Sequence, residues 1–174
     1  GGGGGGGDGA VVELSAATFD GVAMDVRKDV LLQLYRAEGC EPCDNMVIYY
    51  NKVATRFAQL GLDSVVVSRL EVSRESLPPA LRAIQLHSLP TLLMLPARNK
   101  EPPYALYNGQ ARPKDIMYFA QQHATHAFEL PPNPHLTREQ HVMWKEQVGA
   151  LPQEKVHAAY ETLERETGLT RDEL

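Results

Sequence analysis

Residues 30–43 read Val-Leu-Leu-Gln-Leu-Tyr-Arg-Ala-Glu-Gly-Cys-Glu-Pro-Cys, and the remaining elements can be predicted outward from them. The aliphatic run predicts a strand, and a short turn follows it. The only two cysteines of the chain, Cys40 and Cys43, come next and are separated by two residues. A C-x-x-C pair at the junction of a strand and a helix is typical of a dithiol redox site.

The segment after the cysteines predicts a helix that begins at about Glu41. Apolar residues recur there at the spacing of one helix face, namely Met46, Tyr50, Val53, Phe57 and Leu60. Pro42 suits the first turn, where a missing N–H costs nothing, and Gly61 suits the C-terminal cap.

This helix would place Cys40 at its N-terminus, beside orphan N–H groups and the positive end of the helix dipole. Both features favour the thiolate, which is the nucleophile in disulfide exchange. Cys43 lies one turn further along and is placed to attack a mixed disulfide and release the substrate.

Two other interpretations of the cysteines stay open. In the first, Cys40 and Cys43 bind zinc together with His123 and His126, although the separation far exceeds the ~12–15 residues of a zinc finger. In the second, the cysteines form a purely structural disulfide. A bridge that closes so small a loop constrains the unfolded chain little, which favours redox chemistry.

The composition limits the classes of function. The chain has 174 residues, 43% of them hydrophobic, which is enough for one core and an appendage. Its net charge is −5, and it has no basic block, so neither nucleic acid nor an anionic membrane is indicated as a partner. No apolar run approaches the length of a membrane span.

The order of predicted elements indicates one α/β domain over residues 11–130. Strands are expected at residues 11–14, 30–35, 64–70, 88–96 and 104–107. A brief helix capped by Ser15, the helix after the cysteines, a short helix behind Pro78 and Pro79, and a helix from Pro113 fall between and after them. The strand at 30–35 is expected to be central and buried on both faces, parallel to the strand at 64–70, and the last two strands to be antiparallel.

The two ends of the chain are predicted to be separate from this domain. Residues 1–10 form a flexible, glycine-rich start, and prolines at 131–134 form a linker. Two amphipathic helices follow, the first with a capping box at residues 137–140, and they predict a C-terminal helical hairpin. The hairpin either packs on the domain or offers an apolar face to a partner. The last four residues, 171–174, resemble a retrieval signal of the endoplasmic reticulum.

Several motifs in this order resemble a thioredoxin-like domain of the protein disulfide isomerase family, which has a central mixed sheet flanked by helices. The strand at 31–35 with its C-x-x-C is similar to the active-site strand of that family, and Leu89-Pro90-Thr91 is similar to its cis-proline turn. Residues 12–19 are similar to its opening segment, and residues 109–119 to its closing strand and helix.

The resemblance implies thiol–disulfide exchange on protein substrates in the lumen of the endoplasmic reticulum. Cys40 would be the attacking thiol and Cys43 the resolving thiol, while a cis Pro90, with Leu89, would shape the substrate groove. The redox partner would be glutathione or another oxidoreductase. No metal or organic cofactor is implied. His87, just before this turn, could also lie near the dithiol.

Departures from the family pattern predict a modified activity. Gly39 stands where the family has Trp, Gln33 stands where it has a buried carboxylate that moves a proton, and Glu41-Pro42 stands where isomerases have His between the cysteines. Glu38 and Glu41 disfavour a thiolate on Cys40, and so we expect a reducing-leaning oxidoreductase. The alternative is a weakly active or inactive binding module of a larger folding or quality-control protein.

Overall fold

The computed structural model describes residues 9–73, 77–130, 139, 143, 146 and 149–167. The described strands form one five-stranded sheet in the order β1-β3-β2-β4-β5. Their bounds are β1 Val12–Leu14, β2 Asp29–Tyr35, β3 Val65–Glu71, β4 Thr91–Leu95 and β5 Ala105–Leu106. The helices are α1 Phe19–Ala23, α2 Glu41–Gln59, α3 Pro113–His123 and α4 Gln153–Thr167, with a 3₁₀ turn at Pro79–Leu81.

The sheet is mixed. β3 pairs in parallel with both β1 and β2, while β4 is antiparallel to β2 and to β5. The predicted parallel pair and the predicted antiparallel pair are therefore both confirmed. Because β1, β2 and β3 run in one direction, their carboxyl ends lie at one edge of the sheet, and the loop that carries the cysteines leaves from that edge.

β2 is the central strand and separates two apolar cores. Leu31 points to the face covered by α2 and α3, where it packs in a cluster with Phe57 and Ile116. Leu32 and Leu34 point to the opposite face and join a second cluster that includes Phe19. The prediction that this strand is buried on both faces is confirmed.

The helix after the cysteines begins and ends where the sequence predicts. Cys40 is the N-cap and Glu41 the first helical residue. At the other end Gly61 has a positive φ of 73°. The N–H of Gly61 donates to the Ala58 carbonyl at 3.0 Å, and the N–H of Leu62 donates to the Phe57 carbonyl at 2.9 Å. This pair of bonds is a Schellman motif, which satisfies the last carbonyls of the helix.

Two of the predicted helices differ from expectation. The N-cap of α1 is Thr18 and not Ser15. The Ser15 carbonyl accepts the N–H groups of Thr18 and Phe19, so residues 15–18 form a turn before the helix starts. The helix expected behind Pro78 and Pro79 is only the 3₁₀ turn at Pro79–Leu81.

Asp29, the first residue of β2, is fully buried and joins three parts of the chain. One carboxylate oxygen accepts the N–H groups of Ala97 at 2.7 Å and Thr125 at 2.8 Å, and the other accepts the N–H of His126 at 2.9 Å. The segments after β4 and after α3 are thereby bound to the end of β2 that lies away from the cysteines.

The tail is described in part. Residues 139, 143, 146 and 149 are helical, and α4 follows at Gln153–Thr167, so helical structure occurs in both predicted segments. The glycine run, the linker prolines, most of the capping box, Trp144, Val148 and the terminal four residues lie outside the described residues. The domain boundaries stay predictions. In the described part of the chain no helix has both the length and the apolar character needed to cross a membrane.

Candidate active site

Cys40 and Cys43 form a disulfide at the N-terminus of α2. Both residues are buried, with exposed fractions of 8% and 3%. The backbone N–H of Cys43 points at the Sγ of Cys40 from 3.2 Å. This N–H is one of the orphan donors of the first helical turn, so it would stabilise a thiolate on Cys40 after reduction.

The turn before β4 faces the disulfide. The carbonyl oxygen of Leu89 lies 3.8 Å from the Sγ of Cys40, and the Leu89–Pro90 peptide bond is cis. The Thr91 hydroxyl donates to the Ser88 carbonyl at 2.7 Å and closes the turn. The tertiary structure thus brings together the two motifs that lie 49 residues apart in the sequence.

A cavity of about 560 Å³ opens beside Cys40. Gly39, Pro42 and Leu89 line it together with Cys40, as does His87. Of the residues proposed from the sequence, Cys43, Gln33, Glu38, Glu41 and Pro90 are not part of this lining. Cys43 is buried, and Pro90 follows Leu89 in the chain.

The remaining walls of the cavity come from residues that the sequence did not single out. They are Arg36 after β2, Val72 and Leu77 after β3, and Leu86 and Ser88 before β4. These residues follow the carboxyl ends of parallel strands or precede the neighbouring strand, which is where ligand sites form in α/β sheets. This rule on where ligand sites form could have identified these five residues from the sequence.

Gln33 is buried on the α2 face of β2, with 2% of its surface exposed. Its neighbours in register are Arg69 on β3 and Leu92 on β4. Within the described part of the chain its side-chain amide has no hydrogen-bond partner. An amide cannot act as a general base at neutral pH, so this position lacks the proton acceptor that a carboxylate would supply.

Arg69 is paired instead with an acid on the outer strand β1. Its Nε donates to Oε1 of Glu13 at 2.9 Å, and its guanidinium lies 5.1 Å from the centre of the Tyr35 ring. The Tyr35 hydroxyl donates to the same Glu13 oxygen at 2.7 Å. Burial, and then this hydrogen bond, raise the pKa of Tyr35 to about 12. The charge of Arg69, the neighbour of Gln33, is therefore already neutralised by Glu13 of β1.

The two histidines considered as zinc ligands lie elsewhere. The His123 ring packs on Phe119 with centroids 4.9 Å apart, and the His126 N–H binds Asp29 at the far end of β2. The structure does not bring either together with the cysteines. Among the described residues no group of three or more His, Cys, Asp or Glu side chains could hold a metal ion.

The chain is similar in sequence to protein disulfide-isomerases. It is 26% identical over 117 residues to human protein disulfide-isomerase A4, which covers 67% of this chain and 17% of that protein. It is 29% identical over 123 residues to protein disulfide isomerase-like 1-3 of Arabidopsis thaliana, which covers 71% of this chain and 20% of that protein. The chain therefore spans about a fifth of the length of these relatives. No protein-family model matches it.

The fold comparison agrees with the thioredoxin-like architecture predicted from the sequence. Thioredoxin f from spinach chloroplast superimposes with a TM-score of 0.50 and 22% identity, covering 66% of this chain and 86% of that one. The predicted α/β, thioredoxin-like fold is confirmed.

Proposed function

We propose that this chain, whose thioredoxin-like domain is similar to those of protein disulfide-isomerases, is a thiol–disulfide oxidoreductase that acts on protein disulfides. The observation that carries the proposal is the buried Cys40–Cys43 disulfide at the start of α2, open to a cavity and faced by the Leu89 carbonyl. A purely structural disulfide would need neither the cavity nor the facing turn.

The proposed reaction in the reducing direction begins with a thiolate on Cys40. It attacks one sulfur of a substrate disulfide, and the other substrate sulfur leaves as a thiolate that takes a proton from water. Cys43 then loses its proton to water, its thiolate attacks Cys40 Sγ in the mixed disulfide, and the second substrate sulfur leaves as a thiolate that takes a proton from water. The substrate disulfide gains two electrons, the enzyme dithiol becomes a disulfide, and a thiol partner such as glutathione or another oxidoreductase reduces it again.

The turn at Leu89 and Pro90 is the proposed guide for the substrate. An extended chain laid along the turn could pair its main chain with the exposed backbone there, as edge strands do with added peptides. Because the Leu89 carbonyl lies 3.8 Å from Cys40 Sγ, a substrate paired with this turn would have its cysteine beside the attacking sulfur.

The proposed activity leans toward reduction. Pro42 supplies no donor to Cys40, and the carboxylates of Glu38 and Glu41 add negative charge near it. The amide of Gln33 cannot take the proton of the Cys43 thiol. The reduced form is then less stabilised than in an isomerase, so we expect a potential nearer thioredoxin's ~−270 mV than isomerase's ~−180 mV.

The lumen of the endoplasmic reticulum is the proposed location. The similarity to protein disulfide-isomerases supports it. At finer detail, residues 69–73 and 89–93 resemble the last thioredoxin domain of an endoplasmic-reticulum protein, thioredoxin domain-containing protein eleven. That finer kinship is part of the proposal.

A second candidate function is a binding module with a dithiol that turns over poorly. Gln33 favours this function, because its buried amide cannot serve as a base for the Cys43 thiol. In that case the cavity beside Cys40 would hold client polypeptides, and the disulfide would exchange slowly.

The experiment that tests the proposal is the reduction potential of the full chain in glutathione buffers, with Cys40→Ser as the control. A reversible transition between ~−180 and ~−280 mV, absent in the control, supports an exchange site. A transition above ~−180 mV contradicts the reducing tendency. A disulfide that glutathione cannot open, together with no insulin reduction above the thiol background, overturns the oxidoreductase and favours the binding module.

A further inference from the structure

A second cavity, of about 530 Å³, lies next to the one beside Cys40. Its walls are the segment before β4, with Ala83 and Ile84, and the segment that leads into β5, with Pro102, Pro103 and Leu106. Asp, Glu, Lys and Arg are all missing from its described lining. The chemistry of these walls suits an apolar side chain and not a charged small molecule.

His87 connects the two cavities, because it lines both of them. The segment that carries it continues through Ser88 to Leu89, whose carbonyl faces Cys40. A polypeptide bound at the disulfide can therefore extend over His87 into the second cavity without leaving the protein surface.

The far wall of the second cavity is the edge strand β5, where the main-chain groups of Leu106 form hydrogen bonds with none of the described residues. β5 is the last strand of the described sheet, and Leu106 pairs with Leu93 of β4. The N–H of Tyr107 donates to the Leu92 carbonyl at 2.8 Å. Tyr107 and Leu92, the pair next to Leu106 and Leu93, are therefore a hydrogen-bonded pair of the ladder. Since hydrogen-bonded pairs alternate along an antiparallel ladder, the N–H and carbonyl of Leu106 point away from β4.

The side chain of Leu106 adds an apolar anchor at the same place. It is 47% exposed, although it sits on the sheet face that elsewhere covers a core. Edge strands with exposed apolar side chains are sites where extended peptides add as a further strand. The edge and the cavity thus offer main-chain and side-chain binding to one extended segment.

We propose that the second cavity binds an apolar side chain of an unfolded client polypeptide whose cysteine is held at Cys40. The client main chain pairs with Leu106, and the bound side chain enters the space between Ile84 and Pro103. This inference rests on the proposed oxidoreductase function and adds a substrate class to it: disulfides of unfolded chains that carry an apolar residue at a fixed distance from the cysteine.

The first measurement is the rate at which the reduced full chain attacks cysteine peptides linked to glutathione by a disulfide. The peptides have a serine- and asparagine-rich background and carry one leucine at successive positions on either side of the cysteine. We expect leucine at one narrow range of positions to raise kcat/KM about tenfold or more over the leucine-free peptide. Equal rates at every position would overturn the proposal.

Matched variants locate the effect. Ala83→Arg fills the cavity and Leu106→Asp places a charge in its wall, and each is expected to bring the ratio of leucine to leucine-free rates close to one. Val26→Asp makes the same kind of change at an exposed residue near the start of β2, and it is expected to retain the full ratio. If both cavity variants keep the full ratio of leucine to leucine-free rates, the proposal is contradicted. Two variants are used so that the test remains valid if one of them misfolds.

A binding measurement separates this inference from the proposed function. The oxidised, ¹⁵N-labelled chain is titrated with a cysteine-free, leucine-containing peptide, and shifts are expected at the amides of residues 83–87 and 105–106. If these shifts occur while no peptide disulfide reacts faster than with Cys40→Ser, the oxidoreductase function fails and the peptide site stands. If peptides react but these amides do not shift, the second cavity is not a client site.

Discussion

Gly39 stands next to Cys40 and has a backbone conformation that favours glycine. Its φ is +71°, in the left-handed region, and a Cβ built on it would meet no atom within 4 Å. The family that the sequence resembles has Trp before its first cysteine. The glycine here is therefore explained by the backbone of the turn between β2 and α2 and not by crowding at the site.

The first prediction concerns this turn. Gly39→Ala is expected to lower the free energy of unfolding by about 1–2 kcal/mol, because an L side chain is strained at this φ. Gly21→Ala is the matched control, since Gly21 also has open space around it but lies in α1. There alanine is expected to raise stability by up to about 1 kcal/mol. Urea unfolding with the disulfide intact measures the free energy of unfolding of both variants. If both substitutions changed it in the same direction, the argument from the backbone conformation of Gly39 would be contradicted.

At the scale of single elements, α2 combines the cysteine pair at its start with a buried hydrogen-bonded link to the sheet. Its first turn holds Cys40 and Cys43, and its middle holds Tyr50, which is 1% exposed. The Tyr50 hydroxyl lies 2.6 Å from the Ser68 carbonyl and 3.2 Å from the Leu31 carbonyl. Burial raises the pKa of Tyr50 well above its usual value, so the phenol stays a donor.

The second prediction compares two adjacent tyrosines of this helix. Tyr50→Phe is expected to cost about 1–2 kcal/mol of unfolding free energy, because buried carbonyls of β2 and β3 lose a donor. Tyr49→Phe is expected to change stability by less than about 0.5 kcal/mol, since Tyr49 is 36% exposed. Thermal and urea unfolding of the two variants test this, and equal losses would show that the buried hydroxyl does not hold the helix to the sheet.

At the scale of the whole molecule, Asp29 closes the end of the domain opposite the disulfide. Its three acceptor bonds reach residues that lie 68, 96 and 97 positions further along the chain. A single carboxylate thus joins β2 to the loop after β4 and to the segment after α3. Such long-range bonds contribute to the cooperativity of the fold, because all three segments separate together on unfolding.

The third prediction tests this link. Asp29→Asn keeps the shape but has one acceptor oxygen where the carboxylate has two, so its NH₂ group faces a backbone N–H. We expect a loss of about 3 kcal/mol, since buried donors are left unsatisfied. Asp20→Asn changes an exposed acid of α1 in the same way and is expected to be nearly neutral. A loss in Asp29→Asn no larger than that of the control would contradict the role of Asp29.

Much of the fold follows from local sequence. The aliphatic content of residues 30–35 determines a strand buried on both faces, and the spacing from Met46 to Leu60 determines the helix face. Gly61 determines where that helix ends, because only glycine enters the left-handed cap without strain. The cysteine pair at the junction is likewise a local pattern. Each of these features depends on neighbours within a few positions, and so the sequence alone predicts them.

Tertiary structure determined what depends on distant segments meeting. The Leu89 carbonyl reaches Cys40 only because β4 pairs with β2, and the cavity walls at Arg36, Val72 and Leu86 come from three separate loops. Arg69 pairs with Glu13 because β1 lies beside β3. No spacing rule encodes these contacts, since they depend on the packing of the whole sheet.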